Sequence, residues 1–200
     1  MNDISDSQTM LDENQGQTLV KLARTTIMDK LGEKIPEDES SSLSEALKEK
    51  DFSVQSGTFV TLKSKGRLRG CIGNLSASES IEKGIKRNAA NAAFHDYRFS
   101  PLTREELGDI DIEVSILTVP EPLEYNDSED LISKLRVNVD GVIIRKGRSS
   151  ATFLPQVWEQ LPNPEQFLSN LCRKANLPTD AWRTGDLEVS TYQVQKFHEK

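Results

Sequence analysis

Residues 57–75 read GTFVTLKSKGRLRGCIGNL, and the predicted fold is built outward from this stretch. Two short apolar runs, at 59–62 and 68–72, flank the polar residues 63–67. Gly66 can adopt a positive φ because it has no Cβ atom to clash with the backbone. Apolar runs on either side of such a turn are typical of a β-hairpin, so we expect two paired strands here.

The second strand of this hairpin carries two candidate functional groups, a guanidinium and a thiol. Side chains alternate between the two faces of a strand. Leu68, Gly70 and Ile72 are therefore expected to share one face, and Arg69 and Cys71 the other face. A guanidinium and a thiol then project from one surface, about 7 Å apart at the Cα level. The sequence predicts a site on that surface.

The composition excludes several classes of protein. The chain has 200 residues, enough for one domain with a substantial core; a division into two lobes stays open. Its net charge of −7 argues against a general binder of nucleic acid or of anionic membranes. No segment approaches the roughly 20 apolar residues of a membrane span. The polar N-terminus does not resemble a signal peptide, so we expect a cytoplasmic protein.

The cysteines and histidines give no metal or cofactor signal. Cys71 and Cys172 lie far apart, and free thiols are the default in a reducing cytoplasm, although a bridge between them stays open. Two histidines and two cysteines without ligand spacing predict no metal. The glycines of the hairpin do not have the spacing of a Walker loop or a dinucleotide fingerprint, so no cofactor is predicted.

The helices are predicted from apolar periodicity and capping residues. An amphipathic helix is expected over 15–31, and Gly32 ends it as a C-cap. The polar residues 1–14 before it are expected to be a disordered tail. Residues 33–44 are expected to be a linker or surface loop. Ser78 is a candidate N-cap for a second helix.

The remaining segments predict further strands and helices. Residues 109–119 alternate between apolar and polar, which predicts a strand with one buried face. Segments 142–145 and 151–154 are expected to pair, a helix is expected over 164–175, and a last strand over 187–197. These elements do not follow a regular βαβ order. We therefore expect a mixed α+β fold of mostly antiparallel sheets with flanking helices.

The hairpin sequence LRGCIG, at 68–73, resembles the signature of the AMMECR-type domain family, whose bacterial and archaeal members are called AmmeMemoRadiSam system protein A. The similarity continues in ordered blocks at 57–63, 96–103, 106–107, 112–117, 120–123, 140–142 and 152–158, and it covers about 15–198.

The resemblance implies a domain over 15–200 with a larger and a smaller subdomain, in a cytoplasmic protein. It also implies company with a Memo-like protein and a radical-S-adenosylmethionine protein. It supplies no established reaction. One departure is Asn176, where the family usually has glycine; asparagine also tolerates the left-handed conformation.

Cys71 and His95 are the candidate catalytic residues. Cys71 is a candidate nucleophile or redox thiol because a nearby cation, such as Arg69, favours the thiolate. The alternative is a small buried side chain in a tight hairpin. His95 is a candidate acid or base that Asp96 or Glu113 orients. The alternative is a histidine at the surface or at a helix end.

Arginines and acids supply the candidate contacts to a substrate or partner. Arg69 either binds a carboxylate or phosphate of an anionic small molecule, or forms a structural pair with Glu113 or Asp96. Asp96 and Arg98 either bind a ligand or pin the loop that contains them. Thr61 is a further candidate contact to a substrate or partner.

Glu113 and Ser115 share the polar face of the strand at 109–119, which is either a cleft wall or a solvated surface. The basic run at 63–69 is either an anion-attracting patch or a charged edge that prevents aggregation. Two functions follow. The first is a small-molecule enzyme with a cleft walled by Arg69 and Cys71. The second is a non-catalytic binding or scaffold module.

Overall fold

The computed structural model describes residues 10–200. Within them the chain forms two compact units. The first unit runs to Leu117 and includes the C-terminal residues Gln195–Lys200. The second unit is Thr118–Val194.

The described residues contain five α-helices, eight strands and four short 3-10 helices. The α-helices are α1 (Glu13–Leu31), α2 (Glu37–Ala46), α3 (Ile81–Phe94), α4 (Ser128–Lys134) and α5 (Pro164–Lys174). The strands are β1 (Thr58–Ser64), β2 (Arg67–Asn74), β3 (Ile110–Leu117), β4 (Glu121–Pro122), β5 (Gly141–Lys146), β6 (Ser149–Phe153), β7 (Glu188–Tyr192) and β8 (Val194–His198). The 3-10 helices are Lys50–Ser53, Leu107–Asp109, Pro155–Glu159 and Ala181–Arg183.

The first unit is built on one four-stranded sheet in the order β2-β1-β3-β8. The pairs β1–β2 and β1–β3 are antiparallel. Val60, Leu62, Ile112 and Val114 are buried in one core with apolar residues of α1 and α3. The alternation that predicted β3 is confirmed on that face. The opposite face is also partly covered, because Ser115 is only 7% exposed.

The hairpin forms as predicted, and its turn has two residues in the left-handed region. Lys65 has φ of 51° and Gly66 has φ of 76°, which is typical of the type I′ turn that matches the twist of paired strands. The predicted alternation along β2 is wrong at Leu68. A β-bulge places Gly70 opposite Leu62 but Leu68 opposite Lys63, so Arg69 is an extra residue. Leu68 is 45% exposed.

Gly70 brings β2 close to α3. A Cβ atom on Gly70 would lie 2.2 Å from the backbone oxygen of Ala92. On the other face of β2, a Cβ atom on Gly73 would lie 2.2 Å from the ring of Phe59, its cross-strand partner. Both glycines are therefore required for packing.

Three predictions about the helices need correction. α1 begins at Glu13 because Asp12 and Gln15 form a capping box, and Leu11 before it is buried. The predicted tail over 1–14 therefore ends too late. Residues 1–9 of that tail lie outside the described residues. The predicted loop over 33–44 contains most of α2, whose first turn is acidic and whose Leu43 is buried. The N-cap of α3 is Ser80, not Ser78.

The second unit has its own sheet and core. Its strands follow the order β4-β7-β5-β6, and the antiparallel β5–β6 hairpin is confirmed. Trp158 stacks on Phe167 with ring centroids 3.6 Å apart inside this core. Asn176 has φ of 57°, so it adopts the left-handed conformation that asparagine tolerates.

The last predicted strand, 187–197, is two strands in two different sheets, β7 and β8. Gln193 interrupts it, because its N–H and C=O bond to Thr118 rather than to a strand partner. The mixed α+β fold class with antiparallel sheets and flanking helices is confirmed.

Replacing Gly70 with alanine tests the contact between β2 and α3. Because the new methyl group meets backbone rather than a movable side chain, we expect Gly70→Ala to lower the free energy of unfolding by about 1–3 kcal/mol. Gly108→Ala is the matched control, since nothing lies within 4 Å of its Cβ position, and it should change stability by less than about 0.5 kcal/mol. Urea unfolding measures both; equal stabilities would contradict the close packing.

Candidate functional site on the first sheet

Cys71, Thr61 and Glu113 occupy neighbouring positions on β2, β1 and β3. They lie on the sheet face opposite the buried Leu62 and Val60, because side chains alternate along β1. The hydroxyl of Thr61 donates a hydrogen bond to Cys71 Sγ over 3.2 Å. Cys71 is partly exposed. Cys71 is therefore a partly exposed residue whose sulfur accepts a hydrogen bond from the neighbouring strand.

The backbone of Cys71 is held by the loop that follows α3. Its N–H donates to Asp96 Oδ2 over 2.9 Å, and its carbonyl accepts from Arg98 Nη2 over 3.0 Å. β2 is an edge strand, so both groups would otherwise lack a partner on that side. We call the pair of Asp96 and Arg98, bound to Cys71, the edge clamp.

The edge clamp contains a buried carboxylate. The Asp96 side chain is only 1% exposed, and it accepts from Arg98 Nε over 2.9 Å and from Arg98 Nη2 over 2.6 Å. These hydrogen bonds from Arg98 hold the pKa of Asp96 well below its usual range, and they outweigh burial, which acts in the opposite direction. Asp96 in turn raises the pKa of Arg98. Both groups are therefore charged at neutral pH.

Arg69 forms a second ion pair beside the edge clamp. Its Nε lies 2.8 Å from Glu106 Oε1 and its Nη2 lies 3.0 Å from Glu106 Oε2. The guanidinium carbon lies 5.9 Å from the ring centroid of Phe99. The hydrogen bonds from Arg69 also lower the pKa of Glu106. Nη1 is buried and has no hydrogen-bond partner within residues 10–200.

The prediction that Glu113 or Asp96 pairs with Arg69 is wrong, because Arg69 pairs with Glu106 instead. Glu106 lies three residues after Thr103, a spacing typical of a capping box, and the N–H of Thr103 donates to Glu106 Oε2 over 3.0 Å. One carboxylate serves both the turn and Arg69. The spacing in the sequence is a signal for the first contact, but the contact with Arg69 depends on the tertiary fold.

Glu113 has two basic neighbours. Lys63 Nζ lies 2.9 Å from Glu113 Oε2, and His198 Nδ1 lies 3.5 Å from the same oxygen. His198 on β8 was absent from the sequence prediction. His95 is exposed and follows the last residue of α3, where its backbone N–H donates to Asn91.

The structure thus divides the predicted residues into three places. Thr61, Cys71, Glu113 and Ser115 share one sheet face; Arg69, Asp96 and Arg98 hold the loop against β2; His95 lies at the end of α3.

Within residues 10–200 there is no cluster of three or more His, Cys, Asp or Glu residues suited to a metal ion. The helices of that same range include none with the length and apolar character needed to cross a membrane. Cys71 and Cys172 are both free thiols, and burial raises the pKa of Cys172.

Comparison with known proteins gives a consistent result. A family model described as AMMECR1 matches residues 20–197. A protein of Methanothermobacter thermautotrophicus is 42% identical over 194 residues, covering 94% of this chain and 96% of its own. A protein of Thermofilum pendens is 36% identical over 208 residues, covering 94% and 92%. The crystal structure of the uncharacterized protein PH0010 from Pyrococcus horikoshii has a TM-score of 0.73 and 33% identity, and covers 95% of this chain and 94% of that chain.

The edge clamp predicts an acid-sensitive stability. Because the pKa of Asp96 is lowered by folding, its contribution is fully present above the pKa of the unfolded chain, near 3.8, and is lost as the pH falls below that value. Asp96→Asn should lower the free energy of unfolding at pH 7 by roughly 1–3 kcal/mol and flatten the loss between about pH 5 and pH 2. Asp111→Asn, at an exposed acid on β3, is the control. Parallel pH profiles for the wild-type protein and Asp96→Asn would contradict the role of the clamp.

Proposed function

We propose that this chain, which belongs to the AMMECR1 family, acts on a small molecule through the thiol of Cys71. The observation that carries the proposal is the way the thiol is held. The edge clamp binds both backbone polar groups of Cys71, while the residue stays partly exposed and its sulfur accepts a hydrogen bond from Thr61. A thiol on a fixed, partly exposed residue with a donor beside it suits a nucleophile.

The surroundings of Cys71 support a substrate with an anionic group. Lys63 lies on the same face of β1 as Thr61, and its side chain is 39% exposed. Its ammonium has three N–H donors, of which Glu113 takes one, so two remain for a ligand. In this proposal Arg69 stabilises the loop and does not bind the anion, because Glu106 accepts two of its hydrogen bonds. A reducing cytoplasm would keep the thiol free, which fits this function.

Alkylation tests whether Cys71 is the reactive thiol. With iodoacetamide, the sulfur forms a bond to carbon, iodide leaves, and the thiol proton passes to the buffer. We expect Cys71 to react at least about tenfold faster than Cys172, which is fully buried and has a raised pKa. Thr61→Val should slow Cys71 several-fold, and Thr61→Ser should preserve its rate. Equal rates for the two native cysteines, by mass spectrometry, would remove the thiol chemistry.

A substrate search then tests the enzyme itself. The native protein, incubated with a small-molecule extract of cells and then measured by intact mass, should gain an adduct that maps to Cys71 or consume a compound. Cys71→Ser should abolish the change. A compound that is consumed equally by Cys71→Ser would assign the activity to another residue.

A second function, a binding or scaffold module, is supported by Tyr97. This side chain is 93% exposed, although it lies between the two residues of the edge clamp. Ordered, exposed aromatic side chains are frequent anchors of protein interfaces. The partners that we propose for this function, by family resemblance, are a Memo-like protein and a radical-S-adenosylmethionine protein.

Tyr97→Ala separates the two functions. If Tyr97 anchors a partner, this variant should weaken binding of the purified Memo-like or radical-S-adenosylmethionine protein at least about tenfold and leave the alkylation rate of Cys71 unchanged. Tyr97→Phe keeps the ring and should bind nearly as well as the wild-type protein. Calorimetry that gives the same affinity for Tyr97→Ala and the wild type would place the interface elsewhere.

A further inference from the structure

We propose that the outer edge of β6, in the second unit, binds an acidic, extended peptide segment of a partner protein as an added strand. The proposal concerns a different surface from the Cys71 site and does not depend on it.

The edge of β6 offers unpaired backbone groups. The β5–β6 hairpin closes at Lys146 and Ser149 around Gly147, with φ of 59°, so Ser149 and Ala151 pair inward with β5. The carbonyl of Thr152 faces outward, because it accepts a hydrogen bond from Lys174 Nζ over 3.0 Å. Ser150 has the same orientation as Thr152 along the strand. Because bonding groups alternate along a strand, both polar groups of Ser150 and the N–H of Thr152 should face outward as well, and within residues 10–200 no turn, loop or side chain bonds to them.

Each of the other sheet edges is either short or has a side-chain contact to its backbone. On β2 the edge clamp binds both polar groups of Cys71. On β8 the side chain of Gln17 donates to the carbonyl of His198. β4 has only two residues, and short strands are poor templates for pairing. β6 has five residues, and within residues 10–200 the carbonyl of Thr152 is the one group on its outer edge that accepts a side-chain hydrogen bond.

The side chains of β6 do not block strand addition. The strand reads Ser-Ser-Ala-Thr-Phe, with no proline and no charge, whereas natural edges usually carry one or the other. The side chain that contacts this edge is that of Lys174, an exposed lysine whose ammonium also lies 5.1 Å from the ring centroid of Phe153. A carboxylate of the peptide could accept the hydrogen bond of this ammonium, and a backbone N–H of the peptide could then donate to the carbonyl of Thr152.

The charges around β6 select an acidic ligand. Arg145, Lys146 and Arg148 surround the turn at one end and Lys174 lies toward the other, all exposed, in a chain with a net charge of −7. Arg145 and Arg148 form no ion pair within residues 10–200, and Lys146 has only an exposed contact of 3.5 Å with Asp186. Main-chain hydrogen bonds would supply the affinity, and the cations would supply the preference for acidic residues.

Synthetic peptides test the proposal on the full chain. The probe is a fluorescein-labelled octapeptide, Glu-Glu-Val-Thr-Val-Thr-Glu-Glu, measured by fluorescence anisotropy. It should bind at least tenfold more tightly than the same peptide with lysine in place of glutamate, and than a version N-methylated at alternate residues. Binding should also slow hydrogen exchange at the amides of Ser150 and Thr152.

Two pairs of variants connect the binding to this edge. Ser150→Pro removes an outward N–H that the fold does not use, so the protein should stay folded by circular dichroism and lose binding at least tenfold, whereas Ser150→Thr should bind as the wild type does. Arg148→Glu should weaken binding several-fold, and Lys34→Glu, which makes the same change in net charge at another exposed site, should not.

Three results would overturn the proposal. They are equal affinity of the N-methylated peptide, equal affinity of Ser150→Pro, and unchanged exchange at Ser150 and Thr152. A concentration-dependent dimer that Ser150→Pro abolishes, without peptide binding, would assign the edge to a second copy of the chain instead. If Ser150→Pro fails to fold, the N-methylated peptide still decides the question.

Discussion

Asp96 places a buried negative charge against the backbone of an edge-strand residue, and the arrangement of the LRGCIG hairpin depends on how that charge is satisfied. Four hydrogen bonds reach the carboxylate, one from the N–H of Cys71 and three from Arg98. A buried carboxylate without such partners would strongly destabilise the fold. Arg98 compensates the charge and also donates to the carbonyl of Cys71, so a single ion pair fixes both the loop and the strand.

The neighbouring pair of Arg69 and Glu106 extends this arrangement along the same loop. Glu106 closes the turn at Thr103 and accepts two hydrogen bonds from Arg69, which itself lies in the β-bulge of β2. The two arginines that looked most available for a ligand thus serve the loop, and both guanidinium groups lie near Phe99. Because both guanidinium groups already have partners, the proposed chemistry concerns the thiol of the partly exposed Cys71 rather than an arginine.

Sequence patterns predicted the features that depend on residues close together in the chain. A glycine in a polar turn predicted the first hairpin, and alternation predicted β3. The bulge at Arg69 was missed, because it is a property of the register between β1 and β2 rather than of either strand. His198 was missed because only the tertiary fold brings β8 beside β3 and its histidine to Glu113. The acidic, serine-rich residues of α2 resemble a loop in composition, yet an acidic first turn and the burial of Leu43 stabilise a helix there.

The most direct test of the edge clamp is the titration of the Asp96 side-chain carboxyl carbon, followed by NMR on protein labelled with carbon-13 at aspartate. If Arg98 and the N–H of Cys71 hold the carboxylate as described, its chemical shift should not change as the pH passes through 3.8, the usual value for aspartate. It should begin to change only at clearly lower pH. A titration step centred near 3.8 would show an ordinary, solvated carboxylate, and it would contradict the account of how Cys71 is held.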